Sequence, residues 1–299
     1  MRYSPLAIFC FNRLDKLKLL IKSLEKNPEC NFTTAYFFID IPVEGKNNLT
    51  KEILDFIYKI EVFKDKKIIL RDLNFGLSKN ISEGIDFVLK ENHKIICLED
   101  DLIVSQNFLN YMNNCLEYYE QEKSVWHING WCYPQLRTSK SKIVVGKLMN
   151  SWGWATWSDR WSQHDERKNN IISTFDDSTR RNFNFYGLTN WEQQLKDNDS
   201  GKISTWAIYW YQTIFLKNGL TIYPVKSHVF NNGMDGSGVN SGVSKLFDVK
   251  LNNSKSVNFQ KTLKLNKVNN FFTLLFYLKI FYFKKFKYIF GKFQNRKKL

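Results

Sequence analysis

Apolar and polar positions alternate in blocks along the first 120 residues. Residues 6–11 form a short apolar run, and over 15–25 the apolar side chains Leu17, Leu20, Ile21 and Leu24 recur at helical spacing, so a strand feeds a helix. The unit repeats: an apolar run at 35–39 precedes a helical stretch near 51–60, one at 67–70 precedes 77–89, and one at 94–98 precedes 107–120. Short, continuously apolar strands separated by helices predict an α/β fold, with a mostly parallel sheet flanked by helices on both faces. Residues 125–248 are richer in Trp and Gly and less periodic, as irregular loops and short strands around a cleft would be.

In such sheets ligands bind outside the carboxyl ends of the strands, so the polar residues directly after each strand are the first candidates. They are Asn12 and Arg13, Asp40, residues 71–74, and the triplet Glu99, Asp100 and Asp101. Three consecutive acids repel and raise one another's pKa, a cost that a cation removes. Mg²⁺ and Mn²⁺ commonly take one or two carboxylates and complete their shells with phosphate oxygens and water, so the triplet suits a diphosphate substrate. Acids complementing the dipole of a following helix account equally for the triplet alone. Arg13 and Asp40, taken singly, read as an exposed ion pair or a helix cap.

Composition narrows the classes. With 43% hydrophobic and 16% aromatic residues the 299-residue chain is globular, not disordered. The net charge of +15 is misleading as a nucleic-acid signature: residues 249–299 hold 13 Lys or Arg and no acid, leaving +2 for the rest. Cys10, Cys30, Cys97, Cys115 and Cys132 are odd in number and irregularly spaced, which fits reduced, buried thiols better than disulfides or a zinc site. The N-terminus carries no charged-then-apolar leader, so a cytoplasmic protein is expected.

Set among its neighbours, the triplet resembles the variant DXD motif of GT-A fold (Rossmann-like) glycosyltransferases, and the stretch Glu99-Asp-Asp-Leu-Ile-Val-Ser-Gln-Asn-Phe108 is similar to that of animal N-acetylglucosaminyltransferase I. Phe11-Asn-Arg13, Phe38-Ile-Asp40, Asn74-Phe-Gly-Leu-Ser-Lys-Asn-Ile81, Trp152-Gly-Trp-Ala-Thr-Trp157, Asn218-Gly-Leu-Thr-Ile-Tyr-Pro224 and Asn232-Gly-Met-Asp-Gly-Ser-Gly238 resemble bacterial family-2-like glycosyltransferases of surface polysaccharide clusters. The resemblance covers about residues 6–240. It implies that Arg13 and Asp40 contact the uridine of a UDP-sugar with Asn74 beside it, that Glu99 and Asp100 face donor sugar and ribose, and that Asp101 is the protein ligand of Mn²⁺ or Mg²⁺. It also implies inversion at the anomeric carbon. The division expected is 1–124 for the nucleotide-sugar half, 125–248 for the acceptor and catalytic half of the same domain, and 249–299 for a tail.

Residues 151–161 place four Trp in eleven residues, and Trp152 and Trp154, which flank Gly153, are the candidates for a sugar-binding wall; core packing is the plainer account of any one of them. Inverting transfer needs a carboxylate to take the acceptor's proton. The animal enzyme carries its base in a Trp-Asp-Asp-Trp segment, whereas the matching stretch here, Trp206-Ala-Ile-Tyr-Trp210, has no acid. Asp235, in a glycine-rich loop, is the leading candidate and Asp159 the second; an Asx-turn residue is the other reading of Asp235. His228, a single histidine after a strand, reads as structural.

In the tail the longest uncharged stretch, 268–278, is far short of the ~20 residues that span a bilayer. Its aromatics and Lys, without acids, form a basic amphipathic segment suited to an anionic membrane surface, which predicts peripheral attachment at the inner face of the cell membrane and no nucleic-acid partner. Together these features predict a metal-dependent transferase moving a sugar from a UDP-sugar to a saccharide or lipid-linked acceptor in surface polysaccharide or lipooligosaccharide synthesis. The alternatives are a non-catalytic membrane or nucleic-acid binding protein and a sugar nucleotidyltransferase; the latter lacks its glycine-rich basic signature near residue 10.

Overall fold

The structure, a computed structural model, describes residues 3–133, 143–164, 171–236, 245–255, 257–259, 263–265 and 267–296. Strand–helix units run β1 (Leu6–Cys10), α1 (Leu14–Leu24), β2 (Thr34–Ile39), α2 (Asn48–Tyr58), β3 (Asp65–Leu70), α3 (Gly76–Leu89) and β4 (Lys94–Glu99). Then come β5 (Leu102–Val104), α4 (Phe108–Tyr118), β6 (Val125–Asn129), β7 (Ile143–Gly146), β8 (Trp154–Trp157) and α5 (Ser158–Trp161). The rest is α6 (Asp177–Phe183), α7 (Trp191–Asp199), α8 (Ala207–Leu216), β9 (Leu220–Pro224), β10 (Val229–Asn231) and α9 (Lys267–Arg296).

The apolar runs become strands because both sheet faces are covered: β1 is buried along its whole length, and Leu17, Leu20, Ile21 and Leu24 of α1 are each at most 2% exposed. On α3, Gly84 lets the helix lie tight on the sheet, since a Cβ there would come within 2.6 Å of the Phe9 ring. The eight strands of the main sheet lie in the order β3-β2-β1-β4-β8-β6-β9-β7. The first four are parallel, β8 runs antiparallel between β4 and β6, β6 and β9 are parallel, and β7 closes the edge antiparallel to β9. The sheet is therefore a mixed, mostly parallel one, continuous between the residues before and after 124. A separate antiparallel ribbon pairs β10 with β5.

Two features differ from the sequence expectation. The stretch after the acidic triplet does not enter a helix directly: an unexpected strand, β5, intervenes before α4, which starts at Phe108 where the pattern sets it. The triplet thus caps no helix, which removes the dipole account of it. The basic tail also begins as part of the body: in α9, Phe276 is 1% exposed and packs edge-on to Tyr133 and Phe247. The five cysteines are buried, free thiols.

A buried polar network locks the antiparallel half. His127, fully buried in β6, takes a hydrogen bond at Nδ1 from Trp210 Nε1 at 3.1 Å, and its Nε2 lies 3.1 Å from Asn129 Oδ1 and from the Asn150 carbonyl. The indole N–H only donates, so Nδ1 accepts and the ring proton sits on Nε2. Burial pulls the His127 pKa down to about 3, and that of buried His228 likewise. A histidine whose folded pKa lies below its unfolded value near 6.5 stabilises the fold fully above pH 6.5, and that contribution is lost as pH falls toward 3. The stability gap between wild type and His127→Gln, measured by urea unfolding at pH 7.5, 6.5 and 5.5, should shrink by about 1.4 kcal/mol per pH unit below 6.5. A gap that stays constant would mean His127 is not held neutral.

Candidate active site

The chain passes from β1 outward to β2 and β3 and then returns to β4 on the other side of β1, so the strand order reverses between β1 and β4. Such a reversal opens a crevice at the carboxyl ends of the two strands, where neighbouring connections diverge to opposite faces. The charged residues of the first strand ends converge there.

Arg13 follows β1 and caps α1 with its backbone, which directs its side chain at the end of β4. Its Nη2 lies 2.6 Å from Asp100 Oδ1 and its Nη1 2.9 Å from Asp101 Oδ2. The Phe11 backbone N–H donates to the second Asp100 oxygen at 3.2 Å. Asp100 is 2% exposed, whereas the Asp101 side chain keeps 13% of its surface open. The ribbon of β5 and β10 brings a distant segment onto Asp101: the Asn232 N–H donates to the Asp101 carbonyl at 2.8 Å, and a Cβ on Gly233 would sit 2.0 Å from Asp101 Oδ2. Only glycine permits that approach. Lys16, one turn after Arg13, reaches the same segment, with Nζ 2.9 Å from the Asn232 carbonyl and 2.5 Å from Asp235 Oδ2. Arg13, Lys16, Glu99, Asp100, Asp101 and Asp235 therefore form one cluster, four carboxylates facing two cations.

The excess negative charge is visible in the protonation behaviour. Burial, then the Asp101 and Asp100 carboxylates, push Glu99 up to about 8, with Arg13 pulling the other way. Burial pushes Asp100 up to about 6 despite Arg13 and the Phe11 N–H. Oxygen ligands in surplus of local positive charge are what a hard divalent cation needs, so the residues present fit Mn²⁺ or Mg²⁺, with Asp101 the exposed member of the triplet's Arg13-paired acids. Among the described residues no three His, Cys, Asp or Glu side chains converge on one point.

Asp40 and Asn74 shape the neighbouring rim. Asp40, 4% exposed, accepts backbone N–H bonds from Ile41, Phe75 and Gly76 at 2.9–3.0 Å, filling about three of its four acceptor positions. It thereby fixes the start of α3 above β2. Asn74 donates to the Ile41 carbonyl at 2.5 Å.

Two expected site residues fall elsewhere. Trp154 is 1% exposed and sandwiched between the His127 and Trp206 rings, each 5.0 Å away, so neither face is open to a sugar. Asp159 follows β8, which runs antiparallel to β4 with Trp157 opposite Lys94, so it lies at the amino end of β4, at the opposite end of the strands from Asp101. There it is held by Lys123 at 2.8 Å and Arg160 at 2.7 Å. Trp152 is different: two residues before Trp154, it is half-buried at the carboxyl end of β4, edge-on to Trp131 and Phe247. Trp206 and Trp210 face the core and supply packing. His228 is buried and stacked on Tyr111 at 4.6 Å.

Lys16 has no assigned role in the sequence pattern, and Gly233 enters it only as one residue of the glycine-rich motif 232–238. The signal for Lys16 is a cation in the first turn of a helix, where the dipole favours acids; the motif around Gly233 does not show which residue it must approach, because that is set by the distant pairing of β10 with β5. A roomy groove of about 850 Å³, lined by Tyr36, Lys64 and Lys67 among others, opens at the amino ends of β1 to β3. It is remote from the acid cluster and off the crevice.

No family model matches the sequence, and neither does any curated protein. The chain is similar in structure to S. aureus TarS, with a TM-score of 0.42 and 10% identity over 77% of this chain and 37% of that one. It is also similar to an active-site mutant of LgtC, at 0.40 and 13% over 73% and 72%. A third similarity is to the mannosyltransferase PcManGT from Pyrobaculum calidifontis in complex with GDP-Man and Mn²⁺, at 0.37 and 9% over 52% and 45%. The chain thus spans little more than a third of TarS, and the chemistry of the site rests on its own residues.

Replacing Arg13 by Met leaves buried Asp100 without its ion pair and should cost about 3 kcal/mol at pH 8. Protonation relieves the uncompensated carboxyls, whose pKa values are already raised, so the deficit should narrow at pH 6. Urea unfolding at both pH values tests this, and an equal deficit at the two would show that Arg13 does not balance these acids.

Proposed function

We propose that the chain is a metal-dependent glycosyltransferase that moves a sugar from a UDP-sugar to a saccharide or lipid-linked acceptor in bacterial surface polysaccharide or lipooligosaccharide synthesis, with inversion. The observation that carries this reading is the acid cluster at the β1/β4 reversal, where Asp101 keeps accessible surface under Gly233 and beside Arg13. A strand-end crevice with surplus carboxylate oxygen suits a nucleotide diphosphate and its cation better than it suits an uncharged ligand.

In this reading Asp101 holds Mn²⁺ or Mg²⁺, which when bound neutralises charge on the departing diphosphate. Glu99 and Asp100 face donor sugar and ribose, and Arg13 lies against the nucleotide. Asp40 shapes the 74–76 turn and has about one acceptor position left for the uracil N–H, with Asn74 beside it. Trp152 offers an aromatic edge to the acceptor. Asp235 takes the proton from the attacking acceptor hydroxyl, and its closeness to Asp101 through Lys16 and Asn232 supports that role.

A thermal-shift screen of nucleotide sugars with each metal tests the donor. Asp101→Ala should abolish the metal-dependent shift, and Asp235→Asn should keep donor binding while transfer falls by about 10² or more. Retained metal-dependent binding in Asp101→Ala would remove Asp101 as the ligand, and near-normal transfer by Asp235→Asn would remove Asp235 as the base.

The tail supports attachment to the inner face of the cell membrane. No helix among the described residues is long and apolar enough to cross a bilayer. In α9, Asn269, Thr273 and Phe276 face the body, while on the opposite side Val268, Phe271, Leu275 and Tyr282 stay 39–63% exposed. A second apolar stripe on a helix already packed through its first needs another apolar phase, and the acid-free stretch of 13 Lys or Arg selects an anionic lipid surface. Phe271→Ser/Leu275→Ser/Tyr282→Ser should float with phosphatidylglycerol vesicles much less than wild type; equal flotation sinks the attachment. Truncation would instead remove Phe276 from the core.

A further inference from the structure

Lys16 stands where electrostatics disfavour a cation. It lies in the first turn of α1, beside the positive end of the helix dipole, and is only 9% exposed. Its ammonium is engaged by one distant segment: Asp235 Oδ2 at 2.5 Å and the Asn232 carbonyl at 2.9 Å. That segment touches Asp101 twice, through the Asn232 N–H and through Gly233. Lys16 thus clamps residues 232–235 onto the carboxylate that Arg13 also pairs.

We propose that Lys16 is a phosphate-responsive latch. Without nucleotide it holds Asp235 and its segment against Asp101; when a nucleoside diphosphate enters, the ammonium passes to the phosphate oxygens and Asp235 is released toward the acceptor hydroxyl. This rests on the glycosyltransferase reading. Three observations favour exchange over a permanent clamp. The Asp235 side chain is 47% exposed, so water competes for the present pair, whereas a diphosphate offers several anionic oxygens. Arg13 is tied to two carboxylates in a planar fork, leaving the flexible, compact ammonium as the cation able to change partner. Asp235 is also the candidate base, and a carboxylate held by an ammonium must leave it to reach an acceptor hydroxyl. The exchange makes and breaks no covalent bond: Lys16 stays an ammonium and Asp235 a carboxylate.

The experiment is calorimetric titration of the full chain with UDP and Mn²⁺, and separately with uridine, for wild type, Lys16→Met, Asp235→Asn and the double variant, with unfolding temperature as the check on folding. Lys16→Met should weaken UDP about tenfold or more and leave uridine unchanged, because one charge-assisted bond to phosphate is lost. Asp235→Asn should tighten UDP severalfold by removing the competing anion, and that gain should vanish in the Lys16→Met background. An unchanged UDP affinity in Asp235→Asn, or the same gain with and without Lys16, overturns the latch. Equal loss of UDP and uridine in Lys16→Met also overturns it, assigning Lys16 to packing. If wild type binds UDP and only the couplings are missing, the latch alone fails; if wild type binds no nucleotide, the donor reading fails with it.

Discussion

The Arg13 guanidinium, 2.6 Å from Asp100 and 2.9 Å from Asp101, ties the end of β1 to the end of β4 across the point where the strand order reverses. Parallel strands place their carboxyl ends together, so any residues that follow them are forced into proximity, and like charges there would splay the ends apart. One planar cation meeting two carboxylates offsets that repulsion and leaves the remaining acid, Glu99, uncompensated. The shared rim at the ends of β1 and β4 follows from where that guanidinium sits.

What was legible in the sequence follows the range of each interaction. The four parallel strands and the helices after them are specified by local patterning, and they appear within a few residues of where the pattern sets them. Arg13 and the triplet were legible as candidates because they directly follow strands. Their pairing with each other, rather than separate contacts, depends on strand order, which local pattern does not contain. The ribbon of β5 and β10 is three residues long on each side and too short to register as periodicity, yet it carries Gly233 and Asp235 toward Asp101. Trp154 and Asp159 misled for a related reason. An aromatic cluster looks alike in sequence whether it lines a cleft or fills a core, and the sense of β8 decides which of its ends meets the site.

The aromatic residues show the same division by location. Trp154, Trp206 and Trp210 pack together beside His127, where the Trp210 indole N–H and a neutral imidazole satisfy one another. That network is sensitive to acid, whereas the carboxyl cluster at the sheet's end resists full ionisation. The two respond to pH in opposite senses, so the stability of the whole chain conceals what either does alone.

Lys16 and Arg13 divide the electrostatic work. Arg13, fixed by a bidentate geometry that matches two carboxylates, sets the resting shape of the crevice. Lys16 pairs with an acid that is half open to water, so its hold is weak enough to be exchanged. A site with two such bonds of unequal strength can admit a dianionic ligand and a dication without dismantling its frame. The weak pair yields first and the strong one keeps the strand ends in register. If both cations were arginines in forks, an exchange of partners would have to break the framework, and if both were exposed lysines the four carboxylates would lack a fixed arrangement. The unequal pairing therefore lets a cluster with excess negative charge stay folded while one of its two bonds is free to exchange.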